Sequence, residues 1–206
     1  MRAADIAASV GLAIAGRRAA LHFSGGKDSL ACLYLLRPLV EQGLPVYWLS
    51  TGDTIPETRT VVDQVRAWIP DLRTVQTDVL AWKAAHGIPS DVTTAQSSWI
   101  GRAYGMSDTP LVGRMDCCVA NLMQPMHQRM LADGIEVVIR GTKLADTGQV
   151  PARGPGDTYE VLLPLLHWSH DQVFHFLQEV GAPRNAVYDT FRAISAPECL
   201  RCSAWW

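Results

Sequence analysis

The chain has 206 residues, 48% of them hydrophobic and 18% charged, with a formal net charge of −2. Those values suit one domain with its own buried core and exclude a disordered or short-repeat architecture. Arg17-Arg18 is the only basic doublet, so charge does not point to nucleic acid or an anionic membrane, and no apolar run approaches the roughly 20 residues of a bilayer span.

The opening MRAADIAASVGLAIAGRR has the basic start and short apolar stretch of a signal peptide. Asp5 interrupts it, however, and Ile6, Val10 and Ile14 recur as on one face of an amphipathic helix, so a packed helix of a cytoplasmic protein is expected. Ala19 to Phe23 reads as a buried strand that stops at a glycine pair, and Asp28 to about Gln42 as a helix ending at Gly43. Pro45 to Leu49 reads as a strand, Glu57 to Ile69 as a helix closed by Pro70, and Leu72 to Thr77 as a third strand. Strands alternating with helices predict βαβ units and a parallel sheet.

From Gly87 to Asp116 the periodicity fails, which marks a functional or irregular segment; Trp99 within it is a candidate for stacking on a base. Cys118 to Ala132 reads as helix despite Pro125, Glu136 to Arg140 as a strand, and TGQVPARGPGDTY as loop. Ser169 to Val180 reads as a helix N-capped by Ser169, with His167, His170 and His175 as surface or capping residues. An irregular tail follows, whose Trp205-Trp206 reads as an anchor.

Between the first strand and helix lies FSGGKDS. Its glycines let the backbone approach an anion, and the following helix presents free N–H groups and the positive end of its dipole, so the stretch reads as a phosphate cradle. It is not a Walker A loop, since Leu21 stands where that motif has glycine and Asp28 follows Lys27. An acid in an anion site needs a reason; Asp28 either holds Mg²⁺ or caps the helix. Of five cysteines, Cys32 lies in an apolar helical run and reads as a core residue. Cys117, Cys118, Cys199 and Cys202 are left for metal or redox chemistry.

SGGKDS resembles the pyrophosphate loop of the adenine nucleotide alpha-hydrolase (PP-loop) superfamily. That resemblance implies that Ser24, Gly25, Gly26, Lys27, Asp28 and Ser29 hold nucleotide phosphates, with Lys27 and Asp28 as the catalytic pair. YWLSTGDTIPETRTVVDQV resembles the second-strand motif of the phosphoadenosine phosphosulfate (PAPS) reductase branch through Thr51, Gly52, Pro56, Glu57 and Thr58. Ser50 replaces the family's aspartate, although Asp53 follows at once. The late segment from Pro164 through Trp168 to Tyr188 and Asp189 is also similar, and Gly141, Lys143, Thr147 and Val150 fall where the family has its Gly-x-Arg, Ser and second Arg. Lysine keeps a charge there and Val150 removes one, with Arg140 and Arg153 near enough to substitute. The implied fold is α/β, a doubly wound, mainly parallel sheet with helices on both faces, as one domain over residues 1–206. Thr51, Gly52, Gly141 and Lys143 join the implied nucleotide site.

RMDCCVANLMQPM together with PECLRC resembles the four-thiolate set of the adenylyl sulfate type of reductase. It implies a [4Fe-4S] cluster on Cys117, Cys118, Cys199 and Cys202, with zinc as the alternative occupant. Asn121-Leu122 replaces that type's basic pair. The reductases also carry a nucleophilic cysteine in a Glu-Cys-Gly-Leu-His tail, for which this chain has no counterpart after Cys202 unless Glu198-Cys199-Leu200 imitates its start.

The expectation is therefore a sulfur-metabolism enzyme that binds ATP with Mg²⁺, adenylates an acceptor with release of pyrophosphate, and couples this to sulfur transfer. The alternatives are a thioredoxin-dependent sulfonucleotide reductase that releases sulfite and a noncatalytic nucleotide-responsive Fe–S subunit. A thioredoxin-like electron donor, a nucleic-acid acceptor and a homo-oligomer are left open.

Overall fold

A computed structural model of the chain describes residues 3–90, 99, 103–105, 111–147, 158–191 and 196–203. The chain opens with α1 (Ala3–Ile14), β1 (Ala19–Phe23), α2 (Lys27–Leu35), α3 (Arg37–Glu41), β2 (Val46–Ser50), α4 (Pro56–Arg66) and β3 (Leu72–Gln76). There follow α5 (Val79–His86), β4 (Ile88–Ser90), β5 (Leu111–Gly113), α6 (Arg114–Cys118), a π-helical turn (Val119–Met123), α7 (Gln124–Ala132) and β6 (Val137–Ile139). The last elements are α8 (Leu144–Thr147), β7 (Glu160–Leu162), α9 (His170–Glu179) and α10 (Val187–Phe191).

Five strands form a sheet in the order β3-β2-β1-β6-β7, every pair parallel, as the alternation of strands and helices predicts. The chain moves outward from β1 through β2 to β3, then returns to the other side of β1 as β6. The switch point therefore lies between the carboxyl ends of β1 and β6, where open α/β sheets bind ligands. Helices cover both faces. Leu21, Phe23, Val46 and Trp48 pack with Ile6 and Val10 of α1, Leu30 and Leu33 of α2, Val61 and Val65 of α4, and Val173 and Phe176 of α9. Ala20, Tyr47 and Val138 face the other way onto Met126 and Met130 of α7. Each large apolar side chain so buried contributes about 1.5–3 kcal/mol.

Two helices differ from expectation for identifiable reasons. The run from Asp28 to Gln42 is two helices, because Pro38 has no N–H for the carbonyl one turn back; the chain breaks at Leu36 and restarts with proline in the first turn of α3. The helix expected from Cys118 begins at Arg114 and widens to a π-turn over Val119–Met123. Pro125 cannot donate to the carbonyl of Asn121, and the Thr77 hydroxyl donates to that oxygen instead at 3.0 Å. In the segment expected to be irregular, β4 and β5 pair in parallel. Among the described residues no helix is long and apolar enough to cross a membrane.

Candidate nucleotide and thiol site

The SGGKDS segment turns from β1 into α2 at the switch point. Gly25 has φ +83°, and a Cβ there would lie 2.7 Å from Thr58 Cγ2, so both its conformation and its contact with α4 require glycine. The loop amides are engaged by hydroxyls. Ser24 N donates to Ser29 Oγ at 3.1 Å, Gly26 N to Ser24 Oγ at 3.3 Å, and Lys27 N to the Tyr188 hydroxyl at 2.9 Å. Oxygens thus stand where a phosphate would offer its own. Buried Asn185 donates to Gly25 O at 3.0 Å and to Thr58 Oγ1 at 3.1 Å, tying the loop to α4 from the segment before α10. The resulting pocket, about 140 Å³, is lined by Ser24, Asp28, Thr58, Tyr188 and Glu198 among others.

At its floor Lys27 and Lys143 converge on one carboxylate. Lys27 Nζ lies 2.6 Å from one oxygen of Asp28 and Lys143 Nζ 2.5 Å from the other, and the lysine side chains are 1% and 0% exposed. Lys143 also meets Asp146 at 3.0 Å, while Lys27 Nζ lies 5.7 Å and 5.9 Å from the ring centroids of Tyr188 and Phe174. Burial pushes the Lys27 pKa down, with Asp28 pulling in the opposite direction. Asp28 makes no helix cap, since α2 has no side-chain cap hydrogen bond; it bridges the two ammonium groups. Gly141 explains how the end of β6 reaches this place: a Cβ on it would lie 2.5 Å from the carbonyl oxygen of Asp28. Buried ion pairs cost desolvation that their attraction barely recovers, so burying two lysines with Asp28 and Asp146 is poorly explained by stability alone.

Thr51 and Gly52 follow β2 beside the loop. Gly52 has φ +79°, and Thr51 is buried, its hydroxyl accepting from Asp53 N at 3.3 Å and from the Cys199 thiol at 3.5 Å. Asp53 is committed to the C-terminal tail. Its carbonyl accepts from Leu200 N at 2.7 Å and its carboxylate from Arg201 N at 2.9 Å, and Thr54 and Cys199 form an antiparallel bridge.

That tail brings the two cysteine pairs toward each other. Lys83 of α5 donates to the carbonyl of Arg201 at 2.5 Å and lies close enough to Cys117 and Cys199 to favour their thiolates. Cys202 in turn acts against ionisation of Cys117, Cys118 and Cys199, so it stands within electrostatic reach of the other three sulfurs. Burial is the largest cause of the raised pKa of Cys117 and Cys118, and it pushes Cys199 up to about 11. Four thiols from two distant segments beside a lysine match the donor chemistry of an iron–sulfur cluster or zinc. Among the described residues no three potential ligands stand in metal-holding geometry, so the thiols must close on such a group to bind it. Cys32 is fully buried, its pKa pushed up to about 12, and is a core residue as expected.

A cavity of about 700 Å³ adjoins the loop on the α7 face of the sheet, lined by Phe23, Leu49, Leu122, Met126, His22 and Arg140 among others. His22 Nε2 and Arg140 Nε are buried with no hydrogen-bond partner. Burial, reinforced by Arg140, lowers the His22 pKa to about 3. Glu198 opens to solvent in the cleft but is ringed by protein, which lifts its carboxyl to about 7. A larger hollow, about 900 Å³, lies between α1 and α9 and touches none of the expected site residues.

Ser169 caps α9 as expected, with Gln172 completing a capping box. His170 Nε2 stands 3.9 Å from Asp146, His175 is on the surface, and Trp99 is 73% exposed. Val150, Arg153 and Trp205-Trp206 lie outside the described residues. Sequence reasoning gave no role to Asn185, Asp146, Lys83 or the hydroxyl of Tyr188. Asp78 before VLAWKAAH was the available signal for α5, which carries Lys83; its carboxylate caps the helix by accepting from Ala81 N at 2.9 Å.

Residues 18–98 match the family model described as phosphoadenosine phosphosulfate reductase domain. Among solved structures the chain is similar to phosphoadenylyl-sulfate reductase from Candida auris in a phosphate complex, with 15% identity and a TM-score of 0.61, covering 96% of this chain and 88% of that one. It is similar to FMN adenylyltransferase from Candida glabrata in complex with ATP, with 16% identity and a TM-score of 0.56, over 91% of this chain and 57% of that one. It is also similar to a U34-tRNA thiolase from Methanococcus maripaludis with its [4Fe-4S] cluster, with 14% identity and a TM-score of 0.56, over 86% and 63% of the two chains. No curated protein sequence gives a match. At these identities the likeness is one of fold.

Proposed function

We propose that this chain, which has the fold of the PP-loop adenine nucleotide alpha-hydrolases and whose residues 18–98 match the phosphoadenosine phosphosulfate reductase domain model, is a nucleotide-dependent enzyme of sulfur metabolism. In this reading it binds ATP with Mg²⁺, adenylates an acceptor and releases pyrophosphate, and hydrosulfide then displaces AMP from the adenylated acceptor, a carbon–sulfur bond forming as the bond from that carbon to the adenylated oxygen breaks. The observation that carries the proposal is the convergence of buried Lys27 and Lys143 on Asp28 at the switch point. The solved relatives with ATP and with a cluster support its two halves.

When a polyphosphate enters, Lys27 and Lys143 turn from Asp28 to its oxygens, and the amides of Gly26 and Lys27 exchange the hydroxyls of Ser24 and Tyr188 for phosphate. Asp28, relieved of its lysines, would hold the Mg²⁺ that accompanies the nucleotide. An acceptor oxygen attacks the α-phosphorus and the bond to the bridging oxygen breaks. The charge growing on pyrophosphate is met by both ammonium groups and the amino end of α2, where one such donor is worth about 10²–10³ in rate. Cys117, Cys118, Cys199 and Cys202 would hold a [4Fe-4S] cluster, which supplies a thiophilic site for the sulfur; zinc on the same thiols would supply no redox chemistry. Free thiols fit a cytoplasmic enzyme.

The test is anaerobic purification with iron, sulfide and zinc analysis, then product analysis from ATP and Mg²⁺ with small-molecule, tRNA and DNA acceptors. AMP-forming turnover with pyrophosphate release, lost in Lys27→Met, is expected. Sulfite release from adenylyl sulfate or PAPS without pyrophosphate from ATP would replace this reading by the second one. The contact of Cys199 with Thr51, beside the nucleotide loop, favours that second reading. There a Cys199 thiolate attacks the sulfonucleotide sulfur and displaces the nucleotide, and a thioredoxin-like dithiol then releases sulfite, becoming a disulfide and restoring the thiol.

A further inference from the structure

The cavity beside the phosphate loop holds polar groups that the mechanism above does not use. It continues from the phosphate pocket, since Ser24 and Glu198 line both. A ligand with phosphates on the loop therefore extends its body into the larger space. The walls there, Leu49, Leu122, Met123 and Met126, are apolar and suit a flat heterocycle.

His22 and Arg140 stand together in this space for a topological reason. Leu21 pairs with Ile139 in the parallel β1–β6 ladder, so the next residues are neighbours and point to the same face. Neither makes a side-chain hydrogen bond among the described residues, and one nitrogen of each is buried without a partner. We propose that Arg140 and His22 read the edge of an adenine base, Arg140 donating to N7 and His22 accepting from the 6-amino group.

The chemistry selects that edge. A guanidinium only donates, and His22, kept neutral by burial and by Arg140, retains one lone-pair nitrogen. A donor beside an acceptor complements N7 beside an amino group. A second phosphate or sulfate is a poorer occupant, because the Glu198 carboxyl lines the same cavity. This inference rests on the nucleotide reading above and adds which side chains recognise the base.

Equilibrium binding of ATP, 7-deaza-ATP and purine riboside triphosphate, each with Mg²⁺, to the full chain tests it. The wild type is expected to bind 7-deaza-ATP, which lacks the N7 acceptor, about 10-fold or more weakly than ATP. Arg140→Met should bind ATP and 7-deaza-ATP alike, and His22→Leu should lose the preference for ATP over purine riboside triphosphate, with thermal melts showing that each variant is folded. If the wild type binds ATP and 7-deaza-ATP equally, or a folded variant keeps its preference, base reading by these residues is overturned while nucleotide binding stands. If none of the three nucleotides binds, the nucleotide reading fails and this inference fails with it.

Discussion

Asp53 holds Arg201 twice: one carboxylate oxygen accepts from the Arg201 amide at 2.9 Å, and the other pairs with its guanidinium at 3.2 Å. Asp53 is buried and Arg201 largely exposed, so the amide contact matters more than the ion pair, which water screens. Through this clasp the turn after β2, which carries Thr51 and Gly52, and the segment carrying Cys199 and Cys202 form one structural unit.

Asp53→Ala should therefore loosen the tail without dismantling the sheet. The expected cost is about 1–3 kcal/mol from the orphaned amide and the lost charge-assisted bond. Cys199 and Cys202 should react faster with iodoacetamide, followed by mass spectrometry, and the purified protein should carry less iron or zinc per chain. Unchanged alkylation rates would mean that the tail is held by other contacts, such as Lys83 to Arg201 O and Ser203 to Pro89 O.

Gly141→Ala places a methyl group 2.5 Å from a backbone oxygen, with no flexible side chain available to yield. The end of β6 or the start of α2 must shift, at about 1–3 kcal/mol. A lower melting temperature and a loss of ATP affinity of at least tenfold are expected by differential scanning fluorimetry and calorimetry. Gly43→Ala is the control for backbone strain without a clash, since Gly43 has φ +105° and nothing within 4 Å of its Cβ position.

Much of this fold was legible because its signals are local. Alternating strand and helix periods, the glycine pair after β1 and the Ser169 cap depend on residues a few positions apart. The break before Pro38 and the π-turn before Pro125 were legible in principle, since each follows from a missing N–H. The site was legible where a motif carried it, at Ser24 to Ser29, and where resemblance carried it, at Gly141 and Lys143. It was not legible where partners are distant in the chain: Asn185 binding Gly25 O, Tyr188 binding Lys27 N, and His22 beside Arg140. Asp53 shows the limit from the other side, for an acid next to a Thr-Gly motif suggests a nucleotide or metal contact, whereas its oxygens are occupied by the tail.

Lys27→Met and Lys143→Met should separate binding chemistry from stability. Each leaves Asp28 one cationic partner, and Lys143→Met also takes the lysine from Asp146; both acids are partly exposed and reached by water, so neither variant is expected to unfold the protein. Each should lower the rate of pyrophosphate release by about 10²–10³, and the double variant should fall further. Full activity in either single variant would remove that lysine from the proposed mechanism.

His22 should make the fold sensitive to acid. Its pKa falls from an ordinary 6.5 to about 3 in the folded protein because burial, and then Arg140, disfavour the imidazolium. Between those values the unfolded chain binds a proton that the folded chain does not, so stability rises with pH across the window. The contribution is complete above about 6.5 and is lost as pH falls toward 3, with a slope of up to about 1.4 kcal/mol per pH unit from this residue. His22→Leu cannot take up that proton in either state. Urea unfolding at pH 7 and pH 5 should therefore show a larger acid loss for the wild type than for His22→Leu. Equal losses would mean that His22 titrates normally in the folded chain.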